Sequence, residues 1–313
     1  MQIYYNLNDY KPSKPVVATM GVFDGVHQGH LQIIKELKET ALQKNALAVV
    51  ITFNPHPRQV LQPTQHIQLL QSLEEKISRF EKTGIDALIV IPFTKEFSCL
   101  TAEQFTKQIL TDKLHIIHFI IGHDHLFGKN RQGNFETLEQ LGKQYGFSIS
   151  QVKPFKNEHI TISSSIIRES LENGDVKTAA WLLGYPYALS GTVVSGNKIG
   201  RSLGYPTANL KIGEVNKLVP AKGVYASFVA IDGIIYKGMT NIGYRPTLDA
   251  TTLTIETNIF NFDKDIYGKK ITVCFMERIR NEVKFEGLTH LQEQLARDKE
   301  TTEKILRHMS FSQ

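Results

Sequence analysis

The spacing of apolar positions changes near residue 185. Before that point, short apolar runs alternate with stretches in which apolar residues recur every three or four positions. Residues 16–20, 46–53, 87–91 and 118–122 are the runs. Their near-continuous apolarity is that of strands buried on both faces of a parallel sheet. Between them, Leu31, Ile34, Leu37, Ala41 and Leu42 fall on one helical face, and Leu70, Leu73, Ile77 and Phe80 do the same over 69–82. Thr101 with Gln104 forms a capping box for a helix carrying Phe105, Ile109 and Leu110. Alternation of strand and helix over 16–183 predicts a doubly wound α/β sheet, with ligands at the carboxyl ends of its strands.

From Tyr187 onward the helical period is lost. Short alternating runs cover 189–194, 207–212, 224–231, 234–240, 253–260 and 271–276. Asp232-Gly233 between two of them is a hairpin signal. Six such strands predict a closed antiparallel barrel. Residues 288–307 return to helix, with Leu288, Leu291, Leu295, Ile305 and Leu306 apolar, and this helix is expected to pack on the barrel. The pattern places the domain boundary at 183–186, giving domains 1–183 and 184–313.

The 313 residues, 41% of them hydrophobic, supply cores for two ordinary domains and exclude a mainly disordered chain. A net charge of +5 suits anionic ligands. No block of five or more basic residues marks a nucleic-acid site. Two cysteines argue against a disulfide scaffold and fit a reducing cytoplasm. The first residues lack a basic region followed by an apolar one, so no signal peptide is expected. No apolar run approaches the roughly 18 residues of a membrane span.

Candidate chemistry concentrates at 21–30, Gly-Val-Phe-Asp-Gly-Val-His-Gln-Gly-His, between the first buried strand and a helix start. A helix start offers free N–H groups and a favourable dipole to phosphate. Gly21, Gly25 and Gly29 allow close backbone approach. Phe23 and Asp24 complete the turn, and His27 and His30 share a face. Zinc ligation by the two histidines is an alternative. It has neither an H-E-x-x-H nor metal-spaced cysteines, Cys99 and Cys274 being the only two. After the second strand, the stiff Asn54-Pro55-His56-Pro57-Arg58 loop holds His56 and Arg58 above the sheet edge. After the fourth, Gly122-His123-Asp124-His125-Leu126-Phe127-Gly128 suits a nucleotide or flavin contact. Ser163, Ser164 and Ser165 begin a helix whose first turn suits phosphate, with Arg168 placed for a bidentate contact.

In the second half, 191–204 holds four glycines with Lys198 and Arg201. This is either a flexible hairpin or a flap whose Gly196, Gly200 and Arg201 close over phosphates. It runs into Tyr205-Pro206-Thr207-Ala208-Asn209. Thr207 and Asn209 face one side of a strand and are oxygen ligands suited to Mg²⁺ beside ATP phosphates. Glu256 is a carboxylate in an alternating strand.

These motifs resemble a known family. The H-x-G-H pattern is similar to that of a class of nucleotidyltransferases, and the longer string resembles the bacterial bifunctional riboflavin kinase/FAD synthetases. Further along, 52–57 is similar to the family's T-F-x-P-H-P, 122–128 to G-x-D-F-x-F-G, 163–168 to S-S-T-x-I-R and 200–209 to the riboflavin kinase signature. The chain departs from the pattern at His125 for Phe, Ser165 for Thr and Asn258 for the His of an E-x-H segment. The resemblance implies a nucleotidyltransferase domain followed by a riboflavin kinase barrel, covering almost the whole chain.

It further implies riboflavin phosphorylation by ATP in the barrel, with Glu256 as base and Mg²⁺ at Thr207 and Asn209. In the first domain, FMN is then adenylylated to FAD and pyrophosphate. There His27 and His30 stabilise the α-phosphate, and Gly21, Phe23, Asp24, Gly29, Ser163, Ser164, Ser165 and Arg168 bind ATP. Flavin contacts fall on Asn54, His56, Pro57, Asp124 and Phe127 in the first domain and on Asn241 and Arg245 in the second. Expected partners are riboflavin, FMN and ATP, without nucleic acid or membrane, for a cytoplasmic monomer or weak homo-oligomer. Two other readings stay open at this point. One is an H-x-G-H nucleotidyltransferase acting on pantetheine, choline or glycerol phosphates. The other is a flavin- or RNA-binding module without turnover.

Overall fold

The computed structural model describes residues 1–123, 126–153, 156–157, 160–196, 199–246 and 251–309, with the backbone alone at 156, 157, 160, 161, 199, 245, 246, 251 and 252. The chain forms two compact units, Met1–Ser164 and Ser165–Gln313.

In the first unit the elements are β1 (Gln2–Tyr4), β2 (Val16–Met20), α1 (Gln28–Gln43), β3 (Leu47–Asn54), α2 (Pro57–Leu61), α3 (Leu73–Glu81), β4 (Ala87–Pro92), α4 (Lys95–Ser98), α5 (Ala102–Phe105), β5 (Ile116–Ile121), α6 (Phe135–Tyr145) and β6 (Ser148–Gln151), followed by the two-residue strands β7 (Lys156–Asn157) and β8 (Ile160–Thr161). The main sheet is parallel, in the order β1-β4-β3-β2-β5-β6. The doubly wound expectation therefore holds. Alternate strand residues feed two cores. Ala18, Val49, Ile51 and Ile89 face Phe105, Leu110 and Leu138, while Val17, Val50, Leu88 and Val90 face Ile34, Leu37 and Phe80.

Three helix details differ from expectation. On α1, Ile34, Leu37 and Ala41 are buried, but Leu31 and Leu42 are exposed. The stripe that meets the sheet is narrower than the apolar pattern. The 69–82 helix begins only at Leu73, because Ser72 and Glu75 form a reciprocal capping box and the N–H groups of Leu70 and Gln71 go to Asp24 instead. The Thr101–Gln104 capping box forms as expected, but after one turn the helix widens into a π segment over Thr106–Thr111.

In the second unit, α7 (Ser164–Glu172, starting on the last residue of the first unit) and α8 (Val176–Leu183) precede β9 (Ala188–Val194), α9 (Ile199–Ser202), β10 (Thr207–Ile212), β11 (Gly223–Ile231), β12 (Ile234–Pro246), β13 (Thr251–Ile259), β14 (Lys270–Arg280) and α10 (Leu288–Leu306). The six strands close in the order β10-β13-β12-β11-β14-β9, all antiparallel. Asp232-Gly233 makes the β11–β12 hairpin. Inside the barrel, Ser227, Thr240 and Thr257 are buried and bond to one another at 3.0 Å. That satisfies hydroxyls which would otherwise be costly to bury.

Helix α10 packs on the barrel as expected, but through a different set of residues. Leu295, Ile305 and Leu306 join the clusters around Val224, Ala226 and Phe228, whereas Leu288 is 60% exposed. Asp298 is buried in the same face and receives the Arg280 guanidinium through Nε at 3.0 Å and Nη2 at 2.7 Å. Arg278 donates to the carbonyls of Asn173, at the end of α7, and of Lys222. Arg278 and Arg280 thus brace the end of α7 and the buried face of α10 from one strand.

Candidate functional site

Strand β2 lies between β3 and β5, where the winding of the sheet reverses, the point at whose strand carboxyl ends open α/β sheets bind ligands. The loop leaving β2 is tightly determined. Phe23 and Val26 hold φ of 50° and 35°, conformations that non-glycine residues adopt only under constraint, beside Gly25 at 88°. The constraints are visible. The Phe23 ring is buried edge-on against Phe80 and His30. The Val22 carbonyl accepts from Thr52 Oγ1 at 3.1 Å and Lys76 Nζ at 2.8 Å. The Asp24 carboxylate accepts the Leu70 N–H at 3.1 Å and the Gln71 N–H at 3.3 Å. The Ser164 hydroxyl donates to the Asp24 carbonyl at 2.8 Å.

This loop delivers His27 as the N-cap of α1. His27 Nδ1 accepts the His30 N–H at 3.4 Å, and His30 Nδ1 accepts the His27 N–H at 3.3 Å. The two rings stack with centroids 3.6 Å apart. A nitrogen that accepts carries no proton, so each neutral ring bears its hydrogen on Nε2 and is a donor there. Burial first, then the neighbouring His27 and Lys76, hold His30 well below the usual histidine range. Gly29 packs under the pair: a Cβ there would lie 3.3 Å from the His27 ring and 3.6 Å from the Ile162 carbonyl. The result is a neutral double donor at the start of a 16-residue helix, suited to an anion.

Of the residues expected here, Gly21, Phe23, Asp24, His27, Gly29 and His30 come together, with Ser164 tied to them and Ser163 adjacent in sequence. The side chains of Phe23 and Asp24 hold the loop itself. Asn54 ends β3 exposed, while His56 is the half-buried N-cap of α2, ahead of Pro57, and accepts the Arg58 N–H at 3.1 Å. Phe127 is buried against Phe105 in the sheet core. Asp124 and His125 lie outside the described residues. Ser165 and Arg168 continue α7 in the second unit. Thr52, the first residue of the 52–57 motif, is buried, and so is Lys76, which was not foreseen. The available signal was a lysine on the apolar face of a helix, between Leu73 and Phe80.

In the barrel, Asn209 pairs with Glu256, and Glu256 with Asn241, in a row across β10, β13 and β12. Thr207 Oγ1 lies 3.4 Å from Glu256 Oε2. Asn241 pairs with Val224, which packs against α10, so the row is on the outer face. A strand glutamate facing outward would ordinarily be a solvated residue, but this one is half-buried. The glycine-rich segment also lies against the row. A Cβ on Gly196 would fall 2.2 Å from Asn209 Nδ2, and one on Gly200 2.3 Å from the Tyr205 carbonyl. Arg201 is exposed on α9. Asn258 Nδ2 donates to the Pro206 carbonyl at 2.7 Å, tying the segment to β13. Glu282 also approaches the row. Its Oε1 and Asn241 Nδ2 lie 2.0 and 3.2 Å from the point a Gly243 Cβ would occupy. Arg245 lies on β12, its side chain outside the described residues. Among the described residues no group of three or more His, Cys, Asp or Glu is placed to hold a metal.

Comparison with known proteins bears on both sites. A family model described as FAD synthetase matches residues 9–166, and one described as riboflavin kinase matches 183–306. The chain is 39% identical to the bifunctional riboflavin kinase/FMN adenylyltransferase of Haemophilus influenzae, covering 90% of this chain and 92% of that one. The chain belongs to this family. Bifunctional riboflavin kinase/FMN adenylyltransferases of Bacillus subtilis and Escherichia coli are 38% and 35% identical over 95% and 93% of this chain, and over 94% and 92% of their own lengths. A solved structure from Streptococcus pneumoniae, described as a macrolide-efflux protein, superposes with a TM-score of 0.89 at 32% identity, covering 98% of this chain and 99% of that one. Among the described residues no helix is long and apolar enough to cross a membrane. The kinase-plus-nucleotidyltransferase assignment, with the nucleotidyltransferase half first, stands as read from the sequence.

Proposed function

We propose that the chain makes FMN at Glu256 and FAD at the His27–His30 pair. The carrying observation is that the stacked histidine pair lies in the first compact unit, and Glu256 with its Asn209–Asn241 row lies in the second. Function is divided at 1–183 and 184–313, following the motifs.

In the second unit, the 5′-hydroxyl oxygen of riboflavin attacks the γ-phosphorus of ATP. The bond to ADP breaks, and Glu256 takes the hydroxyl proton. Asn209 and Asn241 flank Glu256 and orient it. Gly196, Gly200 and Arg201 cover the phosphates, and Asn241 and Arg245 are assigned to the flavin from the motifs. The oxygen donors of Thr207 and Asn209, beside a carboxylate, fit Mg²⁺, which when bound neutralises phosphate charge. In the first unit, a phosphate oxygen of FMN attacks the α-phosphorus of the second ATP and pyrophosphate leaves. FMN brings an ionised nucleophile, so no strong base is needed. His27 and His30 donate Nε2–H to the oxygens where charge grows. Gly21, Gly29, Ser163, Ser164, Ser165 and Arg168 are assigned to ATP from the motifs, and Asn54, His56, Pro57 and Asp124 to FMN. Riboflavin, FMN and ATP are the partners of a cytoplasmic monomer or weak homo-oligomer, acting without nucleic acid or membrane.

The test is product chromatography from riboflavin, ATP and Mg²⁺. The wild-type chain forms FMN, then FAD. Glu256→Ala loses FMN formation but still converts supplied FMN to FAD. His30→Ala does the reverse. Loss of both activities in either folded variant overturns the two-site assignment, and turnover of another phosphate acceptor instead of FMN brings the broader nucleotidyltransferase reading forward.

A further inference from the structure

Lys76 is a buried lysine that the reaction as described does not use. It is 7% exposed on the inner face of α3, and its ammonium group donates to the Val22 carbonyl at 2.8 Å. Val22 is the residue before the constrained Phe23, whose ring is edge-on to His30. The same carbonyl is already held by Thr52 Oγ1 at 3.1 Å. A hydroxyl therefore supplies one tie without charge, and lysine adds a second tie that carries one. Burying a charge for a single extra hydrogen bond is unfavourable unless the charge has its own use.

We propose that Lys76 is a positioning residue for adenylyl transfer, fixing through Val22 the loop that carries His27 and His30 and keeping a positive charge beside the stacked pair. The inference rests on the adenylyl-transfer reading of that pair. The charge acts on protonation. Each ring must keep Nδ1 bare to accept the other's N–H, so a proton on either Nδ1 breaks the reciprocal cap and turns the rings. Among the described residues, the ionisable groups that lower His30 are His27 on its own element and Lys76 from α3. Burial lowers Lys76 below the usual lysine range, and the Asp24 carboxylate on the loop opposes that. Removing the lysine charge lets His30 take a proton at higher pH.

The experiment measures kcat/KM for FMN adenylylation against pH in the full chain, with riboflavin kinase activity as the control for the second unit. Lys76→Met is expected to move the acid limb upward by roughly one pH unit or more, since one unit charge within about 12 Å at an effective dielectric of about 20 is worth at least about 1.4 kcal/mol. Thr52→Val loses a tie to the same carbonyl but no charge, and should lower activity without moving the limb. A uniform loss in Lys76→Met, or the same shift in Thr52→Val, overturns the proposal. A wild-type measurement covers a variant that does not fold. His30, followed by NMR, should titrate well below the usual histidine range, and an ordinary titration refutes the proposal. A wild-type chain that does not adenylylate FMN would refute the reading of the site instead, which the NMR titration separates.

Discussion

Removing the buried ion pair between β14 and α10 should destabilise the second unit by a predictable amount. Asp298 is 1% exposed and accepts from Arg280 Nε at 3.0 Å, Arg280 Nη2 at 2.7 Å and Gln294 Nε2 at 2.8 Å. Asp298→Ala strips these donors of their acceptor and leaves a guanidinium against an apolar face. Truncating one partner of a buried pair costs roughly 3–5 kcal/mol. The Arg280 side chain is 19% exposed and can rehydrate in part, which places the cost near the low end, about 3 kcal/mol. For a unit of about 150 residues that lowers Tm by roughly 6–12 °C. Scanning calorimetry of the full chain reads it as a drop in the transition at which kinase activity is lost. The double variant Asp298→Ala/Arg280→Met removes both charges and should recover most of the loss, because the penalty is the unpaired charge and not the missing attraction. A single variant within about 2 °C of wild type, or a double variant less stable than the single, would refute the reasoning.

Other outcomes follow from the same geometry. Gly200→Ala puts a Cβ 2.3 Å from the Tyr205 carbonyl, so backbone must move. Riboflavin phosphorylation should fall at least about tenfold, the order expected for a small displacement of positioning groups, while FMN adenylylation is unchanged; equal losses in both assays would contradict it. Glu256→Gln keeps the shape of the glutamate but not its basicity and should lower kinase kcat by roughly 10²–10⁴. A change confined to KM would remove the base assignment. His118 is buried between Ser148 and Ser150 at 2.6 and 3.0 Å, and burial, with the charge of Lys44, pushes its pKa down. A histidine depressed in the folded state binds fewer protons there than in the unfolded chain. The first unit should therefore lose stability as pH falls below about 6.5, where unfolded histidine begins to protonate, down through the folded value. Thermal melts at pH 7.5 and 5.5 measure the slope, and His118→Gln should flatten it.

The hydrophobic period carried the architecture: continuous apolar runs bounded by turn signals fit strands covered on both faces, and alternating runs fit strands that close a barrel. The linear motifs also determined the candidate chemistry, because a glycine turn before a helix start and a Thr-x-Asn pair on one strand face are local geometry. What only the tertiary structure decided is how distant residues share work. Lys76 and Thr52 meet on one carbonyl from 54 and 30 residues away. Asp24 spends its carboxylate on the loop at 70–71. Asn209, Glu256 and Asn241 become a row only through the register of three strands. Helix α10 is seated by a buried aspartate that its apolar pattern does not announce. Period reports which face of an element is buried, but not which partner waits there. Pairing of buried polar groups depends on distances that exist only once the strands are in register and the helices are docked.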